Sequence, residues 1–341
     1  MRNRTTAVGA LLGTAVGLAW GGQFVVGKSA LGTINAFPLS TIRYAVAALL
    51  WLGVLAAIEG RRSLRLDGRG LRLFWLGTIG FAGFNLLAYT GLAHARPESA
   101  SLIVALSPLL TALVLWRRSG KRPATPTLVL LGVALAGVAL VISNGNPASI
   151  FEGAIGWGDL LVLGGVLSFV LYGLGAQGFR DFSPLRYTAL TAGLGWLVLA
   201  AATAVAIASG LVDMPSGSQL TSVGPQIAYL AIPGAFVAVL AWNGAIKLLG
   251  AQNATLFGNL IPVTTFAIEI VRGYRPGAAA LAGAAVTVAA LVANNLVGRS
   301  TTVWRWPLTQ APNGSRGSGS TSGAVSALPW SFSRSSSSSR E

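Results

Sequence analysis

Residues 100–123 read ASLIVALSPLLTALVLWRRSGKRP, and residues 254–276 read ATLFGNLIPVTTFAIEIVRGYRP. With Pro108 set on Pro262, Ala100, Leu102, Leu106, Thr111 and Arg118 match Ala254, Leu256, Leu260, Thr265 and Arg272, and Ser101 meets Thr255. One deletion later, Gly120-Lys121-Arg122-Pro123 faces Gly273-Tyr274-Arg275-Pro276. Each copy is an apolar helix closed by a basic Gly/Pro turn. A chain that repeats a membrane hairpin is expected to have duplicated half of itself, and duplicated halves in a membrane are the build of secondary transporters.

Composition agrees. The 341 residues are 53% hydrophobic and 10% charged, where a soluble domain carries about 25% charge. Mean hydropathy is +0.67. The net charge of +15 lies between apolar runs and not on one soluble face, which reads as topogenic charge and argues against a nucleic-acid partner. With no Cys there is no disulfide and no thiolate metal site, and the single His94 excludes a His-cluster metal site.

A helix needs about 20 apolar residues to cross the hydrocarbon. Ten segments qualify, near Thr6–Lys28, Phe37–Ile58, Leu73–Ala93, Ser99–Trp116 and Pro126–Ser143 in the first half. In the second half they lie near Trp157–Gly175, Pro184–Ala208, Val223–Leu248, Asn253–Val271 and Gly277–Gly298. The first of these imitates a signal peptide, with Arg2 and Arg4 before an apolar stretch, but it runs past Trp20 to Val26 and no Ala-x-Ala site closes it. With the N-terminus placed in the cytoplasm, sixteen Lys and Arg fall inside, while only Lys28, Arg96, Arg272 and Arg275 fall outside. The positive-inside rule therefore favours both ends in the cytoplasm. Five spans per half is odd, so the second half is expected to be inverted. That inversion explains Arg272 and Arg275, which belong to the turn matching Lys121 and Arg122. The expected division is 1–146 for the first repeat, 147–299 for the second and 300–341 for a tail. The tail is Gly/Ser/Pro-rich, with Trp304 and Trp306 as interfacial anchors, and reads as a disordered cytoplasmic segment.

Trp20-Gly21 followed by Phe24, Pro38 with Arg43 opening the second span, and proline in spans four and nine complete the pattern. With ten spans and a five-plus-five repeat, roughly Ala7–Val297 resembles the drug/metabolite transporter superfamily, specifically the EamA-type permeases. The resemblance implies an all-α polytopic membrane protein with ten transmembrane helices in two inverted five-helix repeats. It implies carriage of small metabolites, such as amino acids or related amphipathic compounds, commonly as export. The family's usual Gly-Glu after spans four and nine is Gly120-Lys121 and Gly273-Tyr274 here, so neither acid is present.

Polar groups in hydrocarbon need partners or a water-filled cavity. Two ionisable residues lie well within the spans. Arg43 is about 9 Å from the start of span two at ~1.5 Å per residue, and it either reaches the headgroups, braces a neighbouring helix or meets an anion. Glu269 stands where the first copy has Leu115. It either pairs with Arg272 at i,i+3 or serves as a proton or cation site. Neutral polar residues inside spans are Gln23, Asn85, Tyr89, Tyr172, Trp242, Asn243 and Asn259. Amides supply donors and acceptors, and Trp and Tyr supply flat faces with a polar tip, which together suit a small amphipathic solute. Interhelical hydrogen bonding is the plain alternative for each. The resemblance places spans one, three, four, six, eight and nine around a central cavity. Pro108 and Pro262 are expected to break matching helices, with Gly258 and Asn259 beside the second break. Small-residue spacings such as Gly132 with Ala136 and Gly283 with Thr287 permit close packing.

These readings converge on a cell-membrane carrier, multi-pass, working by alternating access on a small-molecule substrate, with protons as the candidate coupling ion and no cofactor. An enzyme would need an acid/base or metal constellation that one His, no Cys and nine acids do not form. A channel would need charged rings or a filter sequence. A non-transporting scaffold or sensor is the remaining alternative.

Overall fold

Long apolar segments cannot leave backbone N–H and C=O groups unpaired in lipid, so they close their hydrogen bonds locally as helices. The computed structural model describes residues 2–120, 122–146 and 156–300, and among them nine helices are long and apolar enough to cross a membrane, with one bent pair making a tenth. Spans one to three are Thr5–Leu31, Ala36–Glu59 and Gly70–His94. Span four is Pro97–Ala105 followed by Ser107–Ser119 at 43°, and span five is Thr125–Ile142. Spans six to ten are Trp157–Gly178, Pro184–Ala208, Gly224–Leu249, Asn253–Val271 and Ala278–Val297. The expected boundary between the halves falls at the edge of residues 147–155, and the tail from residue 301 onward likewise lies outside the described residues.

Local signals set the ends. The Asn35 side chain accepts from the Phe37 amide at 3.0 Å to start span two, and Ser183 accepts from Arg186 at 2.9 Å to start span seven. The two matched turns each use a glycine with positive φ, Gly120 at 68° and Gly273 at 101°. Only glycine enters that region without strain, so the repeated Gly in the sequence marks a shared helix stop.

Spans three and eight each contain a π-helical segment, Thr78–Gly83 and Leu230–Val237. Spans four and nine break at Leu106 and Asn259. The breaks lie before the prolines expected to cause them. Pro108 is in the first turn of the helix that begins at Ser107, and Pro262 follows Leu260 by two residues. The ring removes no intrahelical hydrogen bond in a first turn, so each proline starts the second segment and does not kink a continuous one.

The packing repeats on exchanging each span with the one five later. Span one lies on spans eight and nine, and span six lies on spans three and four. Span two pairs with span seven, and span five with span ten. Glycines make these approaches close. Gly9, Gly13, Gly17 and Gly21 form an i,i+4 stripe on span one that faces Leu249, Phe257, Leu260 and Thr264. Gly91 and Gly158 bring spans three and six into backbone contact, and Gly137 and Gly283 do the same for spans five and ten. Gly132, by contrast, faces open space. With five crossings in each half, the halves are inverted relative to each other.

At one end of the bundle, the loop before span three is tied to the start of span seven. Arg69 forms a bidentate pair with Asp181 at 2.8 and 2.7 Å. Arg186 reaches Asp67 at 2.7 Å and the carbonyls of Ser63 and Arg65, with its guanidinium 4.0 Å from the Phe182 ring centre. The hydrogen bond from Arg69 holds the Asp181 carboxyl below the usual carboxylate range.

Candidate functional site

Arg43 enters the bundle seven residues after Ala36, the first residue of span two. It is 1% exposed, so it does not reach the headgroups. A guanidinium at that depth has to be held by partners, because hydrocarbon supplies none. Span three supplies them. Arg43 Nη1 donates to the Tyr89 hydroxyl and Nη2 to Asn85 Oδ1. Its guanidinium carbon is 4.1 Å from the Tyr89 ring centre and 4.9 Å from that of Tyr44. Both distances are within the range of cation–π attraction.

The π-helical segment prepares this arrangement. Asn85 stands two residues beyond it, and Asn85 Nδ2 donates to the Phe81 carbonyl at 2.7 Å. With its amide nitrogen committed to the backbone, its oxygen turns to the guanidinium. Tyr89 sits four residues on, so the amide and the phenol share one helix face. π-Bulges inside α-helices are frequent at functional sites because they re-aim side chains. Gly27 of span one admits the Tyr89 ring, since a Cβ there would lie 3.0 Å from it.

Five of the seven expected cavity residues fall into three groups. Asn85 and Tyr89 meet Arg43. Gln23 and Trp242 lie together where spans one and eight cross: a Cβ on Gly234 would be 3.3 Å from Gln23 Oε1, and the Trp20 and Trp242 rings are 5.6 Å apart. Trp20 Nε1 donates to the Gly234 carbonyl at 2.9 Å. Tyr172 belongs to an aromatic cluster on the other side of span three, stacked on Tyr187 at 5.1 Å and hydroxyl to Thr191 at 3.2 Å. Phe81 joins that cluster to the arginine centre, edge-on to Tyr172 at 5.2 Å and to Tyr44 at 5.6 Å. Asn243 is half-buried in span eight. Asn259 is the turn residue at the break of span nine, buried, with Nδ2 lacking an acceptor.

Glu269 pairs with Arg272 at 3.3 Å, the i,i+3 arrangement, with the Arg272 side chain 49% exposed. Two groups escaped the sequence reading. Lys28 Nζ donates to the carbonyls of Leu92, Ala93 and Ala95 at 2.9, 2.8 and 2.8 Å, capping span three. Glu98, an acid between spans three and four in the sequence, is buried in the first turn of span four, 3.7 Å from Arg96. A basic residue in the last turn of span one was a visible sign of the Lys28 cap. Glu98 carried no comparable sign. Among the described residues no group of three or more His, Cys, Asp or Glu is placed to hold a metal ion.

A groove of about 730 Å³ opens at the Asn35 end of the bundle. Ala36 and Phe37 of span two, Thr90 and Ala93 of span three, and Val198 and Ala202 of span seven line it.

Comparison with known proteins adds to this geometry. The model of the EamA-like transporter family matches twice, at residues 7–143 and 156–296. A Bacillus subtilis protein named "Uncharacterized transporter YrdR" is 30% identical over 303 residues, 88% of this chain and 94% of its own. A "Probable terminal-alkyne amino-acid exporter" of Streptantibioticus cattleyicolor is 26% identical, covering 85% of this chain and 93% of its own. A chain of known crystal structure shares the fold with a TM-score of 0.59 at 22% identity, covering 88% of this chain and all of the other.

Proposed function

The chain belongs to the EamA-like transporter family, and from that premise we propose that it is a cell-membrane exporter of small amphipathic metabolites of the amino-acid class. The observation that carries the proposal is the exchange symmetry of the packing: the largest contacts between the two halves recur when each span is exchanged with its counterpart. Two inverted halves packed in this way have two equivalent arrangements, one open to each side, which alternating access requires. The matched π segments and matched breaks give each half the same hinge points. The likeness to an amino-acid exporter supports the substrate class and the direction. The excess of Lys and Arg in the loops joined to the N-terminal side supports cytoplasmic ends. Protons are the coupling ion in this reading, and Glu269, already paired with Arg272, is not expected to be their site.

The deciding experiment is flux in proteoliposomes. Purified protein is loaded with a panel of radiolabelled amino acids and amines, with and without a pH gradient. Substrate-dependent exchange above protein-free vesicles is the expected result. No exchange of any solute across a broad panel would favour a scaffold or sensor.

A further inference from the structure

We infer that Arg43 is the binding residue for a carboxylate carried by the transported solute. The inference rests on the proposed transport function and specifies what its substrate must contain. Arg43 is almost fully buried and positively charged, yet none of the four ion pairs among the described residues includes it. Its partners, Asn85 and Tyr89, are neutral. Its Nε–H has no acceptor. A brace between spans two and three needs only hydrogen bonds, which a neutral glutamine also offers. A buried guanidinium without an anion keeps a desolvation penalty that hydrogen bonds and ring contacts to neutral groups offset only in part.

The geometry matches one ligand chemistry. Asn85 and Tyr89 each hold one Nη, which fixes the plane of the guanidinium and leaves the Nε edge for an incoming group. A carboxylate binds such an edge with two parallel hydrogen bonds. A single cation suits a monoanion. The nearby Lys28 ammonium is committed to three backbone carbonyls, so a phosphate dianion would find no second charge. Tyr44, Tyr89 and Phe81 give the rest of the surroundings flat apolar faces, which accommodate the apolar part of an amphipathic acid. The groove at the Asn35 end reaches Ala36 and Thr90, two helical turns above Arg43 and next to Tyr89. At ~1.5 Å per residue the remaining distance along span two is about 10 Å. Its volume is within the range of small-molecule pockets, roughly 300–1,000 Å³.

The test compares L-phenylalanine and L-leucine with their carboxamides and with phenethylamine, as solutes for counterflow in proteoliposomes. Wild-type protein is expected to carry the acids at least about tenfold faster than the amides, the factor lost with one charge-assisted hydrogen bond. Arg43→Gln is expected to lose that preference while eluting as folded protein, and Arg43→Lys to keep part of it. Equal carriage of acids and amides by wild-type protein overturns the inference, and so does Arg43→Gln with an intact preference. Either result leaves the transport function standing, because flux is still seen, whereas absence of all flux removes both. If Arg43→Gln fails to fold, the acid-to-amide ratio of the wild-type protein decides alone.

Discussion

Gly80 and Gly234 are the same residue of the two repeats, 154 positions apart like Pro108 and Pro262, and each takes an aromatic side chain from the opposite half. Gly80 lies in the π segment of span three against the Tyr172 ring of span six. Gly234 lies in the π segment of span eight and accepts the Trp20 indole of span one. The two sites differ in the room they leave.

A Cβ on Gly80 would stand 2.3 Å from Tyr172 Cγ, at the root of a ring that is itself stacked on Tyr187. A Cβ on Gly234 meets nothing nearer than 3.3 Å. Gly80→Ala is therefore expected to destabilise by about 1–3 kcal/mol, the cost of overpacking, and Gly234→Ala by clearly less. Thermal unfolding of the purified protein in one detergent ranks them. Equal losses would show that the two π segments are not distinguished by this contact.

The seam between spans five and ten gives a second comparison. A Cβ on Gly137 would lie 2.7 Å from the Gly283 carbonyl and 2.3 Å from Thr287 Oγ1. Five residues earlier on the same helix, Gly132 has no neighbour within 4 Å. Gly137→Ala is expected to cost about 1–3 kcal/mol. Gly132→Ala gains helix propensity of up to about 1 kcal/mol and should melt no lower than wild type. A destabilised Gly132→Ala protein would contradict the packing of this seam.

The tie between Arg69 and Asp181 has a defined pH signature. The folded-state carboxyl is depressed, so its contribution is complete above the unfolded value of about 3.9 and is lost as pH falls through the lower folded value. Asp181→Asn should therefore lower the melting temperature slightly and by a constant amount from pH 5 to 8. Below about pH 4 the variant and the wild type should converge. The pair is solvent-exposed, so salt should shrink the difference as well. A gap that widens on acidification would exclude this pair as its source.

Much of the fold was legible in the chain because hydrocarbon imposes it. Twenty apolar residues in succession have to be helical, and the matched turns at Gly120 and Gly273 carry the duplication openly. The details that build the site were hidden for identifiable reasons. Residues 78–83 read TIGFAG, and because glycine is common in membrane helices its two glycines did not mark a π segment; the packing of Gly80 against Tyr172 is visible only in three dimensions. Pro108 and Pro262 signalled the breaks but stood two or three residues beyond them, since proline begins a helix as well as it ends one. Arg43, Asn85 and Tyr89 were each visible as polar residues inside spans. Their meeting was not, because it joins two helices across more than forty residues of sequence. Gly132 with Ala136 had the right spacing and the wrong face, and Gly137 carries the contact.

Lys28 offers a test of the helix end above the arginine centre. Its ammonium satisfies three carbonyls at the C-terminus of span three. Lys28→Met keeps the length of the side chain and removes every donor. The freed acceptors should cost about 1–3 kcal/mol, and hydrogen exchange should rise first in the last turn of span three, residues 91–94. Unchanged protection there would mean that the cap is dispensable.

Glu269 separates stability from coupling. It breaks the internal symmetry, standing where the first repeat has Leu115, yet its carboxylate is occupied by Arg272 one turn away. An i,i+3 pair of this kind contributes only ~0.2–0.5 kcal/mol, and neither partner has to part from the other for the helices to move. Glu269→Gln is therefore expected to fold normally and to carry solute at close to the wild-type rate. The dependence of that rate on pH should also be unchanged, measured as initial flux in proteoliposomes from pH 5 to 8. A flat profile in the variant against a sloped one in the wild type would instead make Glu269 the proton site.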